Sequence, residues 1–214
     1  VKCSLYFTVD RPGWAVNYLA HLFLASEDPD ERLGSLIADF TRGRLQTLAK
    51  DYPPGVMWGI ALHRQVDRFT DDNPWVVQSR RRIAAPYRRY SGIILDILYD
   101  HFLSSYWSEF SGQDRQSFIQ DIYRLLDRRR NDLPARLRAL APRMQREDWL
   151  GSYAEFEVIG QVYQRMSQRM RQPNRLAGAM EEVRRHYPEL AQDFRQFFPE
   201  LIVFVQQQER MNRP

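Results

Sequence analysis

The chain has 214 residues, 43% hydrophobic and 13% aromatic, enough for one domain with a substantial core. Its formal charge is +4, and of the 31 Lys+Arg only Lys2 and Lys50 are lysine, a balance that favours acidic partners or phosphate groups. No apolar run reaches the length of a membrane span, the single cysteine, Cys3, excludes an internal disulfide, and the first residues show no secretory pattern; together these point to a reducing compartment, the cytoplasm.

Lys2 to Val9 reads as a strand-like stretch ended by Arg11-Pro12-Gly13, so residues 1–15 are expected to lie outside the core. Beyond them helical spacing recurs and β-branched runs are scarce. Asn17 to Leu24 and Glu31 to Phe40 read as short helices joined by a turn with Pro29. Pro53 and Pro54 open a longer helix to about Phe69, because proline is tolerated in a first turn. Asp71-Asp72-Asn73-Pro74 is a loop or a helix start. Pro86 opens the next helix, which runs to about Trp107 before the Ser111-Gly112 break. Asp114 to Arg130 is amphipathic, and a short helix is expected over Leu133 to Met144. Ser152 to Arg171, Arg175 to His186 and Pro188 to about Gln208 complete the set. The expected architecture is all-α: a single compact multi-helix domain over residues 16–214.

The chemistry is carried by acids and histidines that continue apolar stripes. Val56, Ile60, His63 and Asp67 follow one another by four, three and four residues, so they share a helix face. Ile93, Asp96, Asp100 and Leu103 do the same, and Leu36 and Asp39 stand three apart. A buried carboxylate is costly unless it is paired or binds a metal, and several acids facing inward repel one another. A divalent cation resolves that repulsion, and mixed imidazole and carboxylate ligands suit Mn²⁺, Fe²⁺ or Zn²⁺ better than calcium. Arg64 and Arg68 flank this pair, and Arg42 and Arg44 follow Asp39; guanidinium groups clamp phosphate oxygens. A His-Asp pair four residues apart is also common as a surface hydrogen bond, so the weight rests on convergence of separate segments. His186, after Arg184 and Arg185, reads as a solvated helix end.

In context these residues form an ordered series: Asn17-Tyr18-Leu19-Ala20-His21-Leu22, then Ile37-Ala38-Asp39-Phe40 with Arg42-Gly43, then His63-Arg64-Gln65-Val66-Asp67 with Thr70-Asp71, then Leu95-Asp96 and Asp100-His101-Phe102-Leu103. The series resembles the acyl carrier protein phosphodiesterase family over about residues 16 to 207. That family is distantly similar to the HD-domain phosphohydrolases, so the resemblance implies an all-α, HD-domain-like fold. It implies hydrolysis of holo acyl carrier protein to the apo protein with release of 4′-phosphopantetheine, using a divalent cation, Mn²⁺ before Mg²⁺ or Fe²⁺. It carries site roles onto His21, Asp39, His63, Asp67, Asp96, Asp100 and His101. We read His21, Asp39, His63, Asp96 and Asp100 as metal ligands, Asp67 as the group that orients or deprotonates water, Arg64 as a phosphate contact and His101 as the proton donor. Here the dipeptide is Asp100-His101 rather than His-Asp, and His63 is followed by arginine, so ligands do not transfer one for one. The family pattern begins with Met where Val16 stands, so residues 1–15 are expected to be an upstream extension foreign to the native protein.

Carrier proteins of this kind are small and acidic. The resemblance therefore implies a basic docking face, for which Arg80, Arg81, Arg82, Arg88 and Arg89 are the first candidates and Arg128 to Arg130 the next. Two competing readings are an HD-like phosphohydrolase of nucleotides and a non-catalytic basic helical module that binds nucleic acid. The module leaves the inward-facing acids without a purpose, and neither nucleic acid nor a membrane is expected as a partner.

Overall fold

The computed structural model describes residues 18–212, and these form thirteen α-helices joined by short turns, with no strand among the described residues. The strand-like stretch Lys2 to Val9, Cys3 and the Val16 boundary lie outside the described residues. In chain order the helices are α1 Tyr18–Leu24, α2 Pro29–Ile37, α3 Leu45–Leu48, α4 Pro54–Asp72, α5 Pro74–Arg82, α6 Ser91–Ser105 and α7 Trp107–Phe110. They continue as α8 Arg115–Arg128, α9 Ala135–Arg146, α10 Trp149–Ser152, α11 Phe156–Arg169, α12 Ala179–Arg185 and α13 Tyr187–Asn212. None is long and apolar enough to cross a membrane.

Local chemistry sets the boundaries. Asp28 caps α2, accepting from the Asp30 and Glu31 amides at 2.9 and 3.1 Å, and Pro29 fills the first helical position, where no N–H is needed. Pro74 stops α4 at Asp72. Asn73 then caps α5 by accepting from the Trp75 amide at 2.9 Å, so one tripeptide ends one helix and starts the next. The helix expected to open at Pro86 instead begins at Ser91, after a 3-10 turn over Arg88–Tyr90. Pro142 does not end α9, which runs through it to Arg146.

The core is aromatic. Phe194 and Phe198 of α13 stack at 5.1 Å, and around them pack Tyr99 and Phe102 of α6 and Phe110 of α7. Helix α13 lies against α4, α5 and α6, and α11 closes the other side of α6. The closest crossing is α2 on α4. A Cβ on Gly34 would stand 2.0 Å from the Val56 carbonyl oxygen, and one on Gly59 would stand 2.1 Å from that of Glu31. Only glycine permits this approach. It brings Ser35, next to Gly34, within reach of His63, one turn on from Gly59.

Candidate metal centre

Three elements meet at the centre. His21 comes from α1, Asp39 from the 3-10 turn Ala38–Phe40 after α2, and His63 and Asp67 from α4. Helix α1 is held in place by Asp100 of α6, whose carboxylate accepts from the Leu19 amide at 3.0 Å and the Ala20 amide at 2.9 Å. Ser35 of α2 ties the two histidines together: its hydroxyl donates to the His21 carbonyl at 3.1 Å, and its own carbonyl accepts from His63 Nδ1 at 2.9 Å.

That last bond sets the chemistry of His63. A carbonyl can only accept, so Nδ1 carries the proton and Nε2 faces the acids. His63 Nε2 lies 3.5 Å from Asp39 Oδ1 and 3.6 Å from Asp67 Oδ2, and His21 Nε2 lies 3.2 Å from Asp67 Oδ1. The imidazoles stack with centroids 3.6 Å apart and 13° between planes. Both histidines are buried, whereas 51% of the Asp67 side chain and 21% of that of Asp39 stay exposed, which marks the open side.

Burial pushes the His63 imidazole down, but Asp67 and Asp39 outweigh it and raise it to about 9. His21 is lowered, first by burial and then by the neighbouring His63, against the pull of Asp67. Asp67 is lifted by burial, yet His63, His21 and Arg64 together hold it below the usual carboxylate range. The centre thus sets carboxylates against two imidazoles, and the charged form of His63 is favoured by Asp67 and Asp39 together with the Ser35 carbonyl.

The donor set fits a divalent cation. His21, His63 and Asp67 each offer a ligand atom within 4.8 Å of one another, and both Nε2 atoms face the Asp67 carboxylate. Two ligands about 2.1 Å from one ion stand roughly 3.0 to 3.4 Å apart at angles near 90 to 110°, close to the separations observed. Both ring nitrogens of His21 are buried; Nδ1 has no hydrogen-bond partner among the described residues and Nε2 has only the Asp67 carboxylate at 3.2 Å, so a metal at Nε2 would complete its coordination. Metal must displace a proton from His63, so Mn²⁺ affinity is expected to rise about tenfold per pH unit up to roughly 9. Calorimetric titration at pH 6.5, 7.5 and 8.5 checks this; an affinity flat across that range would contradict it.

The structure brings His21, His63, Asp67 and Asp39 together and leaves other sequence candidates apart from them. Asp100 spends both oxygens on α1 amides, and burial lifts its carboxyl to about 8 despite those bonds. Its place is beneath His21, anchoring it. His101 donates from Nδ1 to the Tyr153 carbonyl at 2.8 Å and accepts at Nε2 from the Tyr187 hydroxyl at 2.9 Å, so its partners come from outside the cluster. Asp96 lines a small cavity beside His21 rather than joining the ligand atoms. Arg64 donates to the Gly43 carbonyl at 2.9 Å, bracing the loop that follows Asp39.

Among the basic candidates, Arg80 pairs with Asp71 and Arg82 with the buried Asp193, whereas Arg81, Arg88 and Arg89 are exposed. Sequence reasoning missed Ser35 and the Gly34/Gly59 crossing. The available signal was the small pair Gly34-Ser35 set against a glycine four residues before His63.

The sequence model of the acyl carrier protein phosphodiesterase family matches residues 16–201. The chain belongs to this family. It is 37% identical over 188 residues to the acyl carrier protein phosphodiesterase of Yersinia pestis, covering 87% of this chain and 96% of that one. It is 34% identical over 195 residues to that of Pectobacterium atrosepticum, covering 91% and 100%. No solved structure matches the chain. The matched region of the phosphodiesterase family contains every residue of the histidine-carboxylate centre.

Proposed function

We propose that this protein hydrolyses the phosphodiester that joins a carrier-protein serine to 4′-phosphopantetheine, with a divalent cation, Mn²⁺ first, held by His21, His63, Asp67 and Asp39. The reading is supported by one observation above others: two stacked imidazoles whose Nε2 atoms both lie within 3.6 Å of carboxylates at a partly open site, in a chain of this family. When bound, the cation would polarise the phosphoryl group and activate water. The chain does the rest. Ser35 keeps the proton on His63 Nδ1, so that Nε2 stays available to a ligand. Asp67 remains ionised, and its exposed side can accept a hydrogen bond from water or take up its proton. Arg64 holds the loop at Gly43 and so fixes the approach beside Asp39.

The partner is an acidic carrier protein, and the basic residues free to meet it in the 80–89 segment are Arg81, Arg88 and Arg89. Charge reversal at Arg81 and Arg88 is expected to raise KM for holo carrier protein several-fold and weaken its salt dependence, with kcat nearly kept. A KM unchanged across salt would exclude this face. Arg82 does not serve for that test, because reversing it would strand Asp193.

A gel mobility assay on holo carrier protein, with and without Mn²⁺, tests the function. Cation-dependent conversion to the apo form is expected, and Asp39→Ala should lose it. Hydrolysis of free nucleotides with no action on holo carrier protein would overturn the assignment.

A further inference from the structure

Beside the proposed metal centre lies a small cavity of about 30 Å³, between α1, α4, α6 and α13. Its walls are mainly aromatic and aliphatic, including Phe194 and Phe197, but His21, Asp96 and Thr70 also line it. Two observations there lack an explanation. His21 Nδ1 is buried with no hydrogen-bond partner among the described residues. Asp96, on the apolar face of α6, has no hydrogen bond to its carboxyl among the described residues, although burial and the nearby Asp67 carboxylate both act against its charge. Either state alone costs free energy.

We propose that Asp96 is a positioning residue: it accepts a hydrogen bond from one water molecule held in this cavity, which in turn accepts from His21 Nδ1–H, and so turns His21 Nε2 toward the metal. The inference rests on the metal reading above. A cavity of this volume holds a water when polar groups line it, and here His21, Asp96 and Thr70 supply them. A histidine that ligates through Nε2 commonly donates its other N–H to a carboxylate, a carbonyl or a water. His63 already has such a partner in the Ser35 carbonyl; His21 has none except across this cavity. The bond orders are simple: His21 Nδ1–H donates to the water, and the water donates to Asp96. The polar α6 positions then divide their work, Asp100 holding the backbone of α1 and Asp96 the ring of His21.

The test compares the wild type with Asp96→Leu and Asp96→Asn by Mn²⁺ titration calorimetry and by thermal unfolding without metal. Asp96→Leu fills the cavity with apolar volume and removes the acceptor. It is expected to weaken Mn²⁺ binding about 10- to 100-fold, while the metal-free Tm holds or rises, because a carboxyl without a hydrogen bond has left a mostly apolar wall. Asp96→Asn keeps an acceptor oxygen and should regain most of the affinity. Leu at position 96 with Mn²⁺ affinity within about twofold of wild type would overturn the inference, as would loss of affinity that merely follows a fallen Tm. A wild type that takes up no Mn²⁺ would defeat the metal reading. A crystal structure then decides the positioning inference alone, by showing either a water bridging His21 and Asp96 or an empty cavity.

Discussion

Asp67→Asn is expected to abolish cation-dependent hydrolysis while leaving the fold intact. The substitution keeps the shape of a half-exposed side chain and removes its charge. Asp67 is the carboxylate that faces both His21 Nε2 and His63 Nε2, so its loss takes away a ligand and the charge that balances the cation. Partners that only support ligands are worth about 10- to 100-fold in metal affinity, so loss of a ligand itself should exceed a hundredfold. Because half of the side chain touches solvent and the amide keeps its shape beside the two imidazoles, Tm should move by only a few degrees. Titration of Mn²⁺ and turnover of holo carrier protein read the effect. Activity within tenfold of wild type at saturating Mn²⁺ would remove Asp67 from the centre.

The largest loss of stability is expected far along the chain, at Asp193→Ala. Asp193 is 1% exposed on α13 and accepts from Gln78 Nε2 at 2.8 Å, Ser79 Oγ at 2.9 Å and Arg82 Nε at 2.8 Å, all from α5. Tyr99 of α6 extends the network by donating to Ser79 at 3.0 Å. Alanine strands a guanidinium and leaves two other donors without their acceptor. Breaking a buried pair on one side costs about 3–5 kcal/mol. At about 2–4 °C per kcal/mol for a domain of this size, Tm should fall by roughly ten degrees. Replacing both partners, Asp193→Leu with Arg82→Met, should recover much of the loss, because apolar packing often equals a buried ion pair. A Tm within about two degrees of wild type for the single variant would show that the network contributes little.

The helices most legible in the sequence were those whose periodicity and punctuation agree. Helix α4 has Pro54 at its start, Val56, Ile60 and His63 on one face and Pro74 as its stop; each signal points to the same element. Helix α5 was harder to read, because Arg80, Arg81 and Arg82 swamp the few apolar positions, Val76 among them, that turn it inward. Its buried side is completed by Ser79 and the paired stem of Arg82, which a hydrophobic pattern does not register. The Pro86 signal was misplaced by five residues, since a 3-10 turn intervenes before Ser91.

The site divides in the same way. Helical spacing on α4 shows His63 and Asp67 sharing an inward face, and spacing on α6 shows the same for Asp96 and Asp100. Spacing says that an inward carboxylate needs a partner; it does not say which. For Asp100 the partner is a pair of amides at the start of α1, so the residue holds His21 in place from behind. Asp39 reaches His63 only because α2 and α4 cross at glycine-to-glycine distance, a long-range contact with no periodic trace. His101 shares α6 with these acids, yet its ring faces Tyr153 and Tyr187.

Crystals soaked in Mn²⁺ and measured at the manganese absorption edge test the central claim most directly. The account predicts one anomalous peak in reach of His21 Nε2, His63 Nε2 and the carboxylates of Asp67 and Asp39. A peak bound by other residues, or none at millimolar Mn²⁺ and pH 8.5, would contradict it.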